Sequence, residues 1–320
     1  MDREPSTMRA ARVHRFGGPE VIAVEDVPVP EPGPGEVLVR VGAAGVGPWD
    51  GWIRAGKSVL PQPLPLTLGS DLAGTITRVG ADVEGFAAGE PVFGVTNKRF
   101  TDSYADFVLA QATMIARRPD NLDDVAAASV PVIAVTAWQA LFDQAHLTAG
   151  QTVLIHGAAG SVGAYAVQLA REAGLHIIAT ASARDANYVG GLGATKVVDH
   201  RAEHFEDVAR EVDAVIDLVG GETQARSFAV LKRGGHLISA VSEPDAAEAA
   251  RRGVQARFFL VDVTTAALSG IAERLADGRL NVDIGIALPL EEVRIAHEML
   301  DGRRPKPRGK IVLTMQGVTP

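Results

Sequence analysis

Thr152-Val-Leu-Ile-His-Gly-Ala-Ala-Gly-Ser-Val-Gly-Ala-Tyr-Ala-Val-Gln-Leu-Ala-Arg171 reads as a strand, a glycine turn and a helix. The apolar, β-branched run Thr152 to Ile155 suits a strand buried on both faces. Gly157, Gly160 and Gly163 then let the chain turn sharply, approach a pyrophosphate with its backbone and pack the new helix close to the sheet. Ser161 stands where the helix begins, so unpaired amides and the positive end of the helix dipole face the phosphates. The turn as a whole, Gly157, Ala158, Ala159, Gly160, Ser161, Val162 and Gly163, is therefore the expected nucleotide contact. Its spacing is G-x-x-G-x-x-G and not the commoner G-x-G-x-x-G. The alternative, an ordinary glycine-rich turn, is weaker because strand, turn and helix fall in the order a dinucleotide site requires.

Working outward on the C-terminal side, strands alternate with helices, which predicts a parallel sheet. The expected strands are Thr152 to Ile155, His176 to Thr180, Lys196 to Val198, Ala214 to Leu218, His236 to Ala240 and Ala256 to Val261. Six such strands make a doubly wound sheet with its ligand beyond the carboxyl ends of the strands. On the N-terminal side, Met8 to about Leu109 is punctuated by prolines and rich in short strands. In Glu36-Val-Leu-Val-Arg-Val41, Val37, Val39 and Val41 share one face and Arg40 takes the other, the alternation of a half-buried strand. Asp71 to Val79 and Glu90 to Gly94 add two more, pointing to a small barrel. After Val261 come an amphipathic segment, Thr264 to Ala276, then Ile286 to Leu290, a helix over Glu291 to Asp301 and a closing strand, Gly309 to Leu313. This tail breaks the six-strand pattern, so it is expected to return to the first domain.

The 320 residues suit two domains, with 47% hydrophobic and 22% charged residues. A net charge of −8 argues against nucleic acid or an anionic membrane as partner. No cysteine is present, which removes disulfides and thiolate metal sites and is compatible with a cytoplasmic location. The charged opening, Met1 to Thr7, does not read as a signal peptide, and no apolar run is long enough to span a bilayer.

The preference for one nicotinamide nucleotide is also readable. An NAD site usually places an acid about 20 residues beyond the glycine turn, on the ribose hydroxyls, whereas a 2′-phosphate wants hydroxyl donors and cations there. This chain has Ala179-Thr-Ala-Ser-Ala-Arg184. Ser182 can donate a hydrogen bond and Arg184 can offer its planar fork, so NADPH is favoured. Asp185 argues the other way, and the alternative for Arg184 is a solvated loop cation.

Several further tracts carry a resemblance. Pro32-Gly-Pro-Gly-Glu-Val-Leu-Val-Arg-Val41, Ala43-Ala-Gly-Val-Gly-Pro-Trp-Asp50, Gly69-Ser-Asp-Leu-Ala-Gly74, Thr136-Ala137, Ala214-Val-Ile-Asp-Leu-Val-Gly-Gly221, Arg233-Gly-Gly-His236 and Gly309-Lys-Ile-Val-Leu313 occur in an order that resembles the medium-chain dehydrogenase/reductase superfamily, and within it the zinc-free quinone oxidoreductase branch. The resemblance implies an α/β chain with a GroES-like β-rich catalytic domain, residues 1–125 and 266–320, around a Rossmann domain with a doubly wound six-stranded parallel sheet, residues 126–265. It also implies an NAD(P)(H)-dependent reaction, usually by a homodimer, with nucleotide contacts from Thr136 and His200; joined to the reading of Ser182 and Arg184, the expectation is an NADP-dependent oxidoreductase acting on a small-molecule quinone or enone acceptor. Zinc members place a Cys and a His-Glu pair where this chain has Gly47 and Ser70-Asp71, so no metal is expected.

Without a metal, hydride transfer suits an acceptor whose negative charge lands on an oxygen that a hydrogen bond can stabilise. Gly47, Trp49 and Trp52 are the expected acceptor wall, in the segment where the resemblance puts the catalytic site. The alternative for the two tryptophans is domain core. Asp50 is a possible acid but reads better as a backbone-capping carboxylate, and Tyr104 is a weak candidate. Two other functions stay open: an enoyl reductase for polyketide or fatty-acyl thioesters, and an NADPH-binding protein with little turnover.

Overall fold

The computed structural model describes residues 5–315, so the tract Met1 to Glu4 at the head of the charged opening lies outside the described residues. Within them, the chain up to Val132 and from Val263 onward forms one compact unit, and Ile133–Asp262 forms the other.

The second unit holds a six-stranded parallel sheet in the spatial order Lys196–Asp199, His176–Ala181, Thr152–Ile155, Val212–Asp217, Leu231–Ser239, Gln255–Phe258. Thr152–Ile155, the first of these in the chain, lies in the interior of the sheet, and successive strands add outward on either side of it. The order therefore reverses at this strand, which is where a doubly wound sheet leaves room for a ligand. Val153, Leu154 and Ile155 have no exposed surface, and Leu154, Val198, Val215, Phe228 and Leu237 close the core beneath the helices. Each such aliphatic side chain removed from water stabilises the fold by about 1.5–3 kcal/mol. Five of the six expected strands differ at their ends: the second and third run one residue further, to Ala181 and Asp199, the fourth and fifth stop one residue earlier, at Asp217 and Ser239, and the sixth spans Gln255–Phe258 and stops three residues short of Val261. Val212 and Leu231 already pair, before a register shift at Val212/Ala214, so the fourth and fifth strands begin earlier than Ala214 and His236.

The first unit carries a seven-stranded sheet and a smaller three-stranded one made of Ile22–Pro28, Thr7–Val13 and Leu66–Thr67. Glu36–Val46 is the central strand of the larger sheet. Asp71–Val79 pairs along one edge, while the other is shared by Phe107–Gln111 against Glu36 to Arg40 and Lys310–Thr314 against Ala43 to Val46. The expected half-buried strand ending at Val41 is thus corrected: it runs five residues further, and Leu38 is as buried as Val37 and Val39 while Arg40 is exposed. Its second half, Gly42 to Gly45, is small because space is short; a side chain on Gly45 would come within 2.4 Å of the Ala128 carbonyl. The tail returns as expected: helix Thr265–Ala276 capped by Thr264, strand Ile284–Pro289, helix Val293–Leu300 and strand Lys310–Thr314, which pairs with Glu36–Val46.

Candidate active site

The glycine turn is built from a buried relay that begins at His156, the last residue before it. Ser227 donates its hydroxyl to the Thr223 carbonyl at 2.6 Å, so it accepts from His156 Nε2–H at 3.0 Å. His156 Nδ1 then accepts the Thr180 hydroxyl at 3.1 Å, and Thr180 Oγ1 accepts the Gly157 N–H at 3.3 Å. Burial pushes the His156 pKa down to about 4, which keeps the ring neutral, as this pattern requires. The relay ties the ends of two neighbouring strands and helix Gly221–Ser227 to the start of the turn. Gly157 adopts φ +68°, and a side chain on Gly163 would lie 2.3 Å from the Gly157 carbonyl, so the helix packs against the turn only without one.

Helix Ser161–Glu172 has Gly160 at its N-cap and no side-chain cap, whereas Asp245 and Thr264 cap the helices that follow them. Its first amides are left for a ligand. Across the sheet, Asp217 is fully buried and saturated: Oδ1 accepts the N–H groups of Val219 and Gly220 at 3.0 and 2.8 Å, and Oδ2 accepts Gln224 Nε2 and the Ser239 hydroxyl at 2.9 Å each. It holds the loop beyond the fourth strand in place.

These elements enclose a cavity of about 320 Å³ lined by His156, Gly157, Ala159, Gly160, Thr180, Ser182, Arg184, Asp185, His200, Arg201 and Arg226, among others. Of the residues expected to touch a nucleotide, Gly157, Ala159, Gly160, Ser182, Arg184 and His200 line it, while Thr136, Ala158, Ser161, Val162 and Gly163 do not. Ala158 is fully buried and Thr136 nearly so. Asp185 accepts from both Ser182 and Arg184, through one carboxylate oxygen at 2.7 and 3.2 Å. His156, Asp217, Arg201 and Arg226 escaped the sequence reading, although His156 sits inside the quoted motif and Asp217 inside a resembling tract. The cavity and the uncapped helix fit a dinucleotide.

The first unit contains a different kind of site. Gly47 caps helix Pro48–Arg54, and its N–H is held by Asp50 Oδ2 at 2.8 Å, the capping role expected of that carboxylate. Tyr104, fully buried, donates its hydroxyl to the same oxygen at 2.9 Å. Burial pushes Asp50 up to about 7, against the pull of the Gly47 N–H and of Lys310, and its Oδ1 is buried with no partner among the described residues. Tyr104 is raised well above its ordinary value by burial and by Asp50. Alongside, Asp71 accepts Lys310 Nζ at 2.8 Å and the Val132 N–H at 3.0 Å; both members of the ion pair are buried. Behind the helix, Arg54 clamps Asp301 with two hydrogen bonds and donates to His297 Nδ1 at 2.9 Å. Burial and that guanidinium push His297 down to about 3.

Trp49 bridges the two clusters. Its Nε1–H donates to Ser70 Oγ at 3.0 Å, Lys310 Nζ lies 4.4 Å from its ring centroid, and a side chain on Gly47 would meet the ring at 2.3 Å. The ring packs against the core, while Trp52 is 49% exposed and belongs to no core. The positions where zinc relatives would hold their metal do not fit one. Gly47 offers no donor atom, Ser70 accepts from Trp49, and Asp71 is committed to Lys310 and Val132. Among the described residues, no three His, Cys, Asp or Glu side chains converge as a ligand set.

This pairing of a Rossmann sheet with a GroES-like sheet unit is matched in known proteins. Residues 33–120 match the alcohol dehydrogenase GroES-like domain, and residues 192–313 match a zinc-binding dehydrogenase domain. The chain belongs to the medium-chain dehydrogenase/reductase superfamily. It is 32% identical to a quinone oxidoreductase of Pongo abelii over 91% of this chain and 93% of that one, and 32% identical to a 2-methylene-furan-3-one reductase of Solanum lycopersicum over 73% and 62%. Among solved structures, the quinone oxidoreductase of Coxiella burnetii superposes with a TM-score of 0.90 at 32% identity, covering 97% of this chain and all of that one. A mycobacterial protein complexed with NADPH superposes at 0.83 with 29% identity, covering 96% and 99%. Within the superfamily the chain falls in the quinone oxidoreductase branch, and it is an oxidoreductase.

Proposed function

We propose that this chain is an NADPH-dependent, zinc-independent reductase that delivers hydride to a quinone or an α,β-unsaturated carbonyl. The observation that carries the reading is the cavity at the glycine turn, lined by Gly157, Ala159 and Gly160, the N-cap of the helix without a side-chain cap, and rimmed by three arginines and His200. The relatives named for quinones, the tomato enzyme named for an enone and the NADPH complex of a structural neighbour support it.

In this reading the backbone of Gly157 to Gly160 and the first turn of the helix hold the pyrophosphate, and the cationic rim that includes Ser182, Arg184, His200 and Arg201 receives the 2′-phosphate. When bound, NADPH supplies the hydride. His156 and Asp217 position the two loops and touch no reacting atom. Of the expected acceptor wall, Trp52 offers the exposed indole face on which a flat conjugated ring or chain lies, while Trp49 covers Gly47 and packs against the core. Such an acceptor needs no metal, because the charge that develops on its oxygen is met by a hydrogen bond or water. The protein works as a cytoplasmic homodimer, with no nucleic acid or membrane partner; among the described residues no helix is long and apolar enough to cross a membrane.

The test is NADPH oxidation followed against a panel of quinones, enals and enoyl thioesters, before and after dialysis against a strong chelator. Turnover of quinones or enals that survives dialysis is expected. Turnover of thioesters alone would move the chain to acyl reduction, and loss of activity with loss of stoichiometric zinc would overturn the metal-free reading.

A further inference from the structure

Three guanidinium groups reach the cavity at the glycine turn, and they are not equivalent. Arg226 is committed: Glu206 takes two of its hydrogen bonds at 2.6 and 2.7 Å, and it lies over the Phe205 ring at 5.0 Å. Arg184 is engaged by Asp185, whose Oδ2 also takes the Ser182 hydroxyl. Asp185 is only 14% exposed, so this carboxylate sits inside the rim, while the Arg184 side chain is 87% exposed. Arg201 differs from both. Its side chain has no acceptor among the described residues, and its backbone N–H is fixed by Asp199 Oδ1 at 3.1 Å, in the turn that follows strand Lys196–Asp199 and lines the cavity. The neighbouring acid, Glu203, is turned to the Asp199 N–H at 3.1 Å.

A phosphate monoester recruits a free guanidinium at no loss of an existing ion pair. To recruit Arg184 and Ser182 it must displace Asp185 from both, and the displaced carboxylate would remain beside it as a like charge. We propose that Arg201, and not Arg184, supplies the charge that holds the 2′-phosphate of NADPH, and that Asp185 opposes this contact as an internal anion occupying Ser182 and Arg184. The inference rests on the NADPH reading above and names the residues that set its strength. Arg201 is a specificity residue; Asp185 is a positioning residue that acts through its two donors.

Dissociation constants of NADPH and NADH, from quenching of protein fluorescence, test this in Arg201→Ala, Arg201→Lys, Arg184→Ala and Asp185→Asn, with melting temperatures as a check on folding. Arg201→Ala is expected to weaken NADPH by at least about tenfold, equivalent to about 1.4 kcal/mol, and to leave NADH within about twofold. Arg201→Lys should fall between it and the unmutated protein. Arg184→Ala should weaken NADPH by less than about threefold, and Asp185→Asn, which keeps an acceptor for Ser182 but drops the charge, should tighten NADPH by about threefold or more without tightening NADH. A larger NADPH loss in Arg184→Ala than in Arg201→Ala overturns the inference, as does an equal loss for both nucleotides in Arg201→Ala. Equal affinities in the unmutated protein would remove the NADPH reading and the inference together; a preference that persists in Arg201→Ala would remove the inference alone.

Discussion

The two units bury polar groups in opposite ways. Around the glycine turn every buried polar side chain in the relay is neutral or saturated: His156, Thr180 and Ser227 pass hydrogen bonds in one direction, and Asp217 fills both oxygens from four donors. Around Trp49, by contrast, a full ion pair, Asp71 with Lys310, and an acid with an orphaned oxygen, Asp50, lie out of water. The first arrangement fixes backbone and leaves amides exposed to a ligand. The second locks side chains from distant parts of the chain against one another, and its stability depends on charges staying paired.

The largest expected effect strikes that second arrangement. Lys310→Met leaves Asp71 buried and uncompensated and should lower stability by about 3–5 kcal/mol in urea denaturation, because breaking one side of a buried pair strands the other. Adding Asp71→Leu should recover most of the loss, since the whole pair is then gone; a double variant no more stable than the single would show that the charge is not what matters. Next, Gly163→Ala attacks the backbone logic of the other unit. Its methyl meets the Gly157 carbonyl and Ala158 Cα, 2.3 and 2.7 Å away, so a loss of about 1–3 kcal/mol is expected, with weaker nucleotide binding. Unchanged stability and affinity would mean that helix and turn are not held as tightly as the geometry demands.

Proton binding sharpens the comparison further, since the two sites respond to pH with opposite signs. His156 has a folded pKa of about 4 against an ordinary 6.5. The unfolded chain takes up this proton first, so the contribution of His156 is complete above 6.5 and is lost as pH falls toward 4. Asp50 has a folded pKa of about 7 against 3.8. Here the folded chain keeps a proton that the unfolded chain releases, so its contribution is complete below 3.8 and is lost as pH rises toward 7. Each group changes stability by about 1.4 kcal/mol per pH unit inside its window. Relative to the unmutated protein, His156→Gln should gain stability as pH falls and Asp50→Asn should gain as pH rises; parallel stability curves for either variant would sink that half of the contrast. The smallest effect belongs to Trp52→Ala. With its indole half exposed and outside the core, melting should move by no more than about 0.5 kcal/mol in equivalent stability, while KM or kcat toward a flat quinone changes. A large stability loss with unaltered kinetics would assign Trp52 to packing.

The same contrast explains what could be read from the residues alone. All six parallel strands were legible because each is a short apolar run between turn and helix signals, and the glycine turn because strand, turn and helix lie in consecutive residues. The strand was expected to end at Val41, yet it runs on through Gly42 to Val46; Gly45 is crowded by the Ala128 carbonyl and Asp71, and Gly42 by Asp124, which no local pattern announces. Lys310 and Asp71 stand 239 positions apart, and Tyr104 and Asp50 stand 54 apart, so neither pairing follows from spacing. Ser182 and Arg184 were visible as donors, whereas Asp185's hold on both required the folded loop.

Lys310 lies on the strand that pairs with the second half of Glu36–Val46. During synthesis the ribosome releases Asp71 long before the residue that neutralises it, and all of Ile133–Asp262 emerges in between. The nucleotide-binding unit can therefore complete its sheet while the other still waits for its counter-charge and for the strand that carries it. A nascent chain halted after Asp262 should already protect the glycine turn from protease and leave Asp71 and its neighbours open to cleavage, so the order of translation imposes an order of assembly on this protein.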